Sequence, residues 1–213
     1  MKRSTDRILT THAGRLPNPG NMEEIVEART GDLGKYDELV RSGVTEMVGK
    51  QFELKNDILS DGEFWKTRDQ GYYDGRVSGV ELVPVTAEKP AWILTNQPER
   101  CMPEFKEFFE IYDALGNTPM PGVTFEAATQ RHAITGPLKY LGQGTIKHEI
   151  DVSKEGIAAA GADLEDFFFP VLSPGWISHF LWNDYYQTDE EYFYAIADFT
   201  KGEYEAVVEA GFV

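Results

Sequence analysis

Four short loops of this sequence combine glycine or proline with polar or aromatic side chains that could contact a ligand. They are THAGRLP at 11–17, SDGEF at 60–64, TGP at 135–137 and SPGW at 173–176. Each lies at the end of a run that is typical of a short β-strand. In βα barrels the functional groups lie at the carboxyl ends of the strands, because the loops there form the open mouth. The recurrence of the pattern therefore predicts one shared site.

Glu63 is the strongest single candidate for a functional side chain. Because side chains alternate along a strand, Glu63 is expected to share a face with Leu59 and Asp61. The glycine before it would let a ligand or another backbone approach closely. A carboxylate in this position could bind a substrate ammonium or accept a proton. A structural carboxylate that pairs with Lys66 or Arg68 is an equally good interpretation.

The first loop offers a cation and an imidazole. Arg15, beside Gly14, could hold an anionic substrate group through its planar donor fork, or it could simply be exposed. His12 could be a base or a metal ligand, although a lone histidine at a strand end is more often a hydrogen-bonded structural residue. His148 and His179 show no metal-ligand spacing, and the sequence contains no P-loop, nucleophile elbow or HExxH motif.

The elements that must position these loops alternate between strand and helix patterns. Predicted strands lie at 7–11, 57–63, 80–85, 132–137 and 167–172, and predicted helices lie at 35–55, 103–115, 152–162 and 188–210. Thr188 and Glu191 have the spacing of a capping box, which marks the start of the last helix. This alternation predicts parallel βα units. An open, doubly wound sheet is the alternative, although the first loop lacks a GxGxxG pattern.

Two of the predicted helices have an apolar face that indicates their buried side. In the helix at 35–55 this face comprises Tyr36, Leu39, Val40, Val44, Met47, Val48 and Phe52. In the helix at 188–210 it comprises Phe193, Ile196, Ala197, Tyr204, Val207 and Val208. Gly43 and Gly49 each weaken the earlier helix by about 1 kcal/mol relative to alanine, so packing must hold that helix together.

The predicted fold class is α/β, of the (β/α)8 TIM-barrel type, with the chain covering about the first four βα units. Gly211 ends the last helix, and Phe212 and Val213 begin a further apolar segment. Because a domain rarely ends on the first residues of a core strand, we expect residues 1–213 to be a partial barrel with a less regular insertion around 64–131. Half a barrel exposes unpaired strand edges, which predicts an inactive chain with possible self-association.

The composition argues against several classes of partner. The 213 residues carry a formal charge of −16, which disfavours binding to nucleic acid or to an anionic membrane through a basic surface. Cys101 is the single cysteine, so no internal disulfide and no cysteine-rich metal site can form within the chain. The first residues do not form a secretory signal, and no apolar run approaches membrane-spanning length. A cytoplasmic location is expected.

Four ordered blocks carry a family resemblance. They are TTHAGRLPNP at 10–19, LSDGEF at 59–64, FFFPVLSPGWISHFLWNDYY at 167–186 and EYEAVVEAGFV at 203–213. Together they resemble the cobalamin-independent methionine synthase family, and most closely its shorter, single-barrel branch, often called methionine synthase II-like. The likeness extends from about residue 7 to the end and is least distinctive in the middle. It implies that residues 1–213 correspond to the first part of the family's C-terminal barrel domain.

The resemblance implies a (β/α)8 barrel in which zinc activates a thiol for alkylation, most often by methyl transfer from a methylated folate to homocysteine, giving methionine. Zinc serves this chemistry because a zinc-bound thiol is held as the nucleophilic thiolate at neutral pH. By resemblance, Ala13, Gly14 and Arg15 touch the amino-acid substrate and Glu63 holds its ammonium group. The partners implied are these small molecules. The family's zinc ligands lie beyond Val213, so zinc is expected in the complete protein and not in this chain alone.

Arg15 departs from the family pattern. Methionine synthases proper carry a small hydroxyl residue at this position. An arginine there leaves room for another anionic thiol with a sulfonate or carboxylate group, such as coenzyme M. A different alternative is a non-catalytic relative or fragment that binds a small acidic molecule through Arg15.

Overall fold

The computed structural model describes residues 3–66, 72, 75–89 and 129–212. The chain divides into two compact units. Unit 1 comprises Met1–Thr67, Gly142–Val171 and Gly202–Val213, and unit 2 comprises Arg68–Leu141 and Leu172–Lys201. In chain order the elements are α1 (Met22–Gly31), α2 (Leu33–Glu53), β1 (Val77–Pro84), β2 (Gln130–Tyr140), α3 (Gln143–Ala160), a 3-10 turn (Leu164–Asp166), α4 (Pro174–Ile177), β3 (Trp182–Asn183) and α5 (Asp189–Glu209).

Three extended segments of unit 1 pair in parallel. Thr11 bridges Ile58, and Leu59 bridges Phe167. We call residues 8–11, 57–60 and 166–169 the first, middle and third parallel segments. The middle segment is hydrogen-bonded on both sides, since Ile58 N donates to Thr10 O at 3.1 Å and Leu59 N donates to Asp166 O at 2.7 Å. The predicted strand–helix–strand unit between the first and middle segments is confirmed.

The strand predicted at 132–137 does not belong to this parallel set. It lies within β2, which pairs antiparallel with β1 and parallel with β3, so unit 2 has its own mixed sheet in the order β1-β2-β3. The order of parallel strands inferred from the chain was therefore wrong at the third strand. Because unit 1 shows three parallel segments among its described residues, the partial eight-stranded barrel stays a prediction.

The TGP loop at 135–137 was predicted to follow a strand end, and this was also wrong. These residues lie inside β2, where the pairing shifts between Ser78 and Val80 of β1. Gly79 sits at this irregularity with φ +81°, and a Cβ there would lie 2.6 Å from Pro137 O. Only glycine fits this close approach, so the irregularity is built into the pairing of the two strands.

Helix α2 begins where Asp32 caps it, since the Asp32 carboxylate accepts a hydrogen bond from Lys35 N at 3.0 Å. Of the predicted buried face, Val40 and Val44 are fully buried and pack into the unit 1 core. Phe52, by contrast, is 46% exposed, so that part of the prediction was wrong. Helix α1, which the sequence analysis did not predict, has a weaker apolar pattern and packs against α2.

The predicted capping box of α5 is confirmed for its Thr188 half, whereas the Glu191 carboxylate bonds to the residue before the cap. Thr188 Oγ1 accepts a hydrogen bond from Glu191 N at 3.1 Å, and the Glu191 carboxylate accepts one from Gln187 N at 3.0 Å. The helix begins in unit 2 and, from Gly202, belongs to unit 1.

The buried face of α5 was only partly predicted. Ile196 and Val207 are buried as expected, but Phe193 is 45% exposed and Val208 is 68% exposed. The buried positions include four that the apolar pattern did not select: Tyr192, Phe199, Thr200 and Glu203. Beyond the helix, Phe212 is buried and its ring lies 5.5 Å from that of Phe167 and 5.2 Å from that of Phe169.

Several sequence predictions concern residues outside the described part of the chain. Cys101 and the helix at 103–115 lie there, as does most of the insertion predicted at 64–131, although Val77–Pro84 within it forms the regular strand β1. None of the described helices is long and apolar enough to cross a membrane.

Two glycines of α2 provide a matched test of the core of unit 1. A Cβ at Gly43 would lie 2.8 Å from Phe64 Cζ, whereas a Cβ at Gly49 would meet nothing within 4 Å. We expect Gly43→Ala to lower the free energy of unfolding by about 1–3 kcal/mol through overpacking. Gly49→Ala should raise it by about 1 kcal/mol through helix propensity. Urea titrations followed by circular dichroism measure both, and equal stabilisation by the two variants would contradict this packing.

Candidate substrate site

The loops that follow the first and middle parallel segments are hydrogen-bonded to each other. Leu16 N donates to Gly62 O at 2.9 Å. Arg15 Nη2 donates to Phe64 O at 3.0 Å and to Asn18 Oδ1 at 3.0 Å. Two of the loops predicted to share a site are therefore brought together in unit 1.

The predicted substrate-binding residues lie on either side of this junction. Ala13 and Arg15 are exposed, and Gly14 between them has φ +92°, a conformation that favours glycine. Glu63, in the adjoining loop, is buried with 6% of its surface exposed. An exposed arginine and a buried carboxylate thus flank one edge of the parallel segments.

Glu63 does not continue the alternation of the middle segment. Gly62 has φ +76° and Glu63 has φ +55°, so the backbone turns through the left-handed region at both residues. The expectation that Glu63 shares a strand face with Leu59 and Asp61 was therefore wrong. A non-glycine residue held at positive φ is uncommon and costs of order 1 kcal/mol or more, which the surrounding structure must offset. Here Asp61 Oδ1 accepts a hydrogen bond from Glu63 N at 3.0 Å.

Gln51 of α2 fixes the start of this loop. Its Nε2 donates to Ser60 O at 2.7 Å, and its Oε1 accepts from Ser60 N at 3.1 Å. Both residues are buried, with 3% and 0% of their surfaces exposed. Gln51 was not among the residues predicted from the sequence, although its spacing of four residues from Met47 places it on the buried face of the helix. The side-chain amide replaces the backbone partners that the segment loses where its pairing ends.

The loop at 60–64 takes part in a buried ion pair. Lys66 Nζ is 2.6 Å from Asp61 Oδ2, and the two side chains are 8% and 0% exposed. Glu149 Oε2 of α3 lies 4.0 Å from the same Nζ, which also sits 3.8 Å from the centre of the Phe169 ring. Lys66 was predicted as a structural partner of Glu63, whereas the structure pairs it with Asp61. The other proposed partner of Glu63, Arg68, lies outside the described residues.

The opposite end of the middle segment is held by a second charge pair. Asp57 accepts hydrogen bonds from Arg7 Nη1 at 2.7 Å and from Thr10 N at 2.8 Å. The hydrogen bond from Arg7, helped by the one from Thr10, keeps the pKa of the Asp57 carboxyl well below its ordinary value. This pair ties the first segment to the middle segment and so fixes where the first loop starts.

The described histidines belong to no cluster of three or more potential metal ligands. His12, in the first loop, is half-buried and its Nε2 has no hydrogen-bond partner within the described ranges. His148 Nε2 of α3 lies 3.2 Å from Asp37 Oδ1, which indicates a structural role between two helices. His179 belongs to unit 2, where burial lowers its pKa.

The described residues do not fit a zinc site. They contain no group of three or more histidine, cysteine, aspartate or glutamate side chains that could hold a metal ion. The fourth predicted loop, SPGW at 173–176, begins α4, where Ser173 caps the helix by accepting a hydrogen bond from Trp176 N at 3.2 Å.

Comparison with known proteins gives a likeness in fold. No protein-family model matches the chain, and no curated protein matches it. Among solved structures, the chain is similar to a B12-independent methionine synthase from a Shewanella species, determined in complex with selenomethionine. The TM-score is 0.55 at 14% sequence identity, and the match covers 95% of this chain and 49% of that chain. The chain therefore spans about half the length of that structure, and the likeness shows the fold alone.

The buried ion pair can be tested through stability. Asp61→Asn leaves the Lys66 ammonium buried without its nearest counter-ion, so we expect the free energy of unfolding to fall by about 3 kcal/mol. The double variant Asp61→Leu, Lys66→Met replaces the pair by apolar side chains and should recover most of that loss. Chemical denaturation measures all three proteins. A neutral effect of Asp61→Asn would show that the pair does not stabilise the loop.

Acid titration tests the pair at the other end of the segment. Because the pKa of Asp57 is lower in the folded state than in the unfolded state, its contribution is present above the unfolded value of about 3.9 and is lost as the pH falls through the folded value. Between about pH 4 and pH 2 the unfolding midpoint of the native chain should therefore fall more steeply than that of Asp57→Asn. Identical slopes for the two proteins would contradict the assigned role of Arg7.

Proposed function

We propose that unit 1 carries the acceptor-binding end of an enzyme that transfers a methyl or another alkyl group to a thiol. The preferred reaction is the transfer of a methyl group from a methylated folate to homocysteine, giving methionine. The observation that carries the proposal is the junction of the two loops, which places Ala13–Arg15 beside Glu63. The likeness in fold to a methionine synthase supports the proposal.

The charges of the two loops suit the head group of an amino acid. A carboxylate attracts an ammonium more strongly where water is excluded, and Glu63 is 6% exposed. Arg15 can hold a carboxylate through its planar donor fork. We assign Glu63 to the α-amino group of the acceptor and Arg15 to its α-carboxylate. The side chain of the acceptor, which ends in the thiol, would then extend away from Glu63 and Arg15.

Zinc, when bound, would hold the acceptor thiol as a thiolate. Because the described residues do not fit a zinc site, we propose that its ligands lie outside them. We assign Glu63 and Arg15 to binding and orienting the acceptor. Neither side chain needs the metal to carry its charge.

A second candidate acceptor is an anionic thiol of the mercaptoethanesulfonate type. Among the described residues, Arg15 donates two hydrogen bonds, both from Nη2, to Phe64 O and to Asn18 Oδ1. The guanidinium has further donors on Nε and Nη1. These donors suit a sulfonate as well as a carboxylate, which favours this alternative over a thiol without an acidic group.

The role of Glu63 can be isolated with two thiols that differ by one amino group. We expect Glu63→Gln to weaken binding of L-homocysteine about tenfold to a hundredfold, since it removes a charged hydrogen bond to the ammonium. Binding of 4-mercaptobutanoate, which lacks that amino group, should be unchanged. Isothermal titration calorimetry on the 213-residue chain measures both ligands. Glu165→Gln, an exposed residue of the same unit, is the matched control.

The outcomes separate the candidates. Equal weakening for both thiols would show that Glu63 does not recognise the amino group. Tighter binding of 2-mercaptoethanesulfonate than of homocysteine, abolished by Arg15→Gln, would favour the second candidate. Binding of small acids that contain no thiol with the same affinity would instead favour a non-catalytic binding protein.

A further inference from the structure

We infer that unit 2 contains a separate binding site for a small organic cation, such as a quaternary ammonium or a protonated amine. The site is a groove of about 630 Å³. Its lining includes three tyrosines and two carboxylates: Tyr185, Tyr186, Tyr194, Glu191 and Asp198. We call this the tyrosine groove. It lies within unit 2 and shares no residue with the loops of the candidate substrate site.

The wall that carries Tyr185 and Tyr186 is held in place by Asn183 of β3. Asn183 Oδ1 accepts hydrogen bonds from Tyr185 N at 3.3 Å and from Tyr186 N at 2.8 Å, and its Nδ2 donates to Tyr186 O at 3.0 Å. Tyr186 Oη in turn accepts a hydrogen bond from Leu138 N at 3.1 Å. The two rings meet edge to face with 5.1 Å between their centres. This wall is therefore built before any ligand arrives, which lowers the cost of binding.

The facing wall is the first half of α5. Glu191, Tyr194 and Asp198 are spaced by three and four residues and so lie on one face of the helix. The Tyr194 side chain is 65% exposed, and Tyr185 across the groove is 44% exposed. Glu191 Oε2 accepts a hydrogen bond from Gln187 N at 3.0 Å, which anchors that carboxylate at the edge of the groove.

The charges and aromatic rings of the lining indicate which class of ligand the groove would bind. Among the described residues that line the groove, two carry carboxylates and none carries a cation. Tyrosine rings attract cations through the negative faces of their π-systems, most strongly when the cation has apolar substituents that displace water. The volume lies within the range of small-molecule pockets. Carboxylates together with aromatic rings therefore match an alkylated ammonium better than an anion or a neutral polar ligand.

The test compares choline with 3,3-dimethylbutan-1-ol, the neutral compound of the same shape. Saturation-transfer NMR and calorimetry on the 213-residue chain should detect saturable binding of choline and binding of the neutral compound that is at least about tenfold weaker. Asp198→Asn and Tyr194→Ala should each weaken choline binding about threefold to tenfold. Circular dichroism of both variants tests whether they are folded.

Two control variants on the same helix lie outside the groove. Glu190→Gln removes one exposed charge, and Phe193→Ala removes one exposed ring, and both should leave choline binding unchanged. The inference is overturned if choline shows no saturable binding, if the neutral compound binds equally well, or if the groove variants and the control variants weaken binding by the same factor. If a folded Tyr194→Ala protein binds choline as the native chain does, the ring assignment is likewise overturned.

Discussion

The middle parallel segment is the constraint on which the rest of unit 1 depends. Residues 57–60 are paired on both sides, and Leu59 and Ser60 are 1% and 0% exposed. A backbone buried in this way must satisfy every N–H and C=O group within the protein. The pairing does so along the segment, and Gln51 takes over at Ser60, where the pairing stops. The hydrogen bonds between Gln51 and Ser60 therefore fix the position of the loop at 61–64.

Charge is concentrated at the same end of the segment. Asp61, Glu63, Lys66 and Glu149 are buried close to the point where the two loops meet. Removing such groups from water costs free energy that their mutual attraction only partly returns, so a fold gains little stability from this arrangement. Glu63 adds a left-handed backbone conformation to that cost. Unfavourable features that cluster in one place are typical of sites shaped by function, and this is the physical reason why we propose the acceptor site here.

The sequence was most informative where local interactions decide the structure. The Thr188 cap of α5 and the burial of Val40 and Val44 follow from spacing along a helix, and both predictions were confirmed. Local spacing did not predict which segment pairs with the middle segment, because pairing between segments distant in the chain depends on the whole sheet. Phe167 and not the 132–137 stretch occupies that place.

Other differences arise because an apolar pattern records only side-chain type. Phe52 and Val208 fit the helical period but lie on exposed faces, whereas Gln51 and Glu203 are buried. The polar residues that belong in the interior are those with hydrogen-bond partners there, as Gln51 has in Ser60, and partners of this kind cannot be read from period alone. The alternation that placed Glu63 on a strand face failed for a similar reason, because positive φ at Gly62 ends the strand geometry.

The most direct test of the central claim is to map the acceptor onto the backbone. Amide chemical shifts of the isotope-labelled chain, followed by NMR during a titration with L-homocysteine, report contact residue by residue. Acceptor binding at the junction of the two loops predicts saturating shifts concentrated at residues 13–16 and 61–64. Saturating shifts elsewhere in the chain, with these two stretches unchanged, would contradict it.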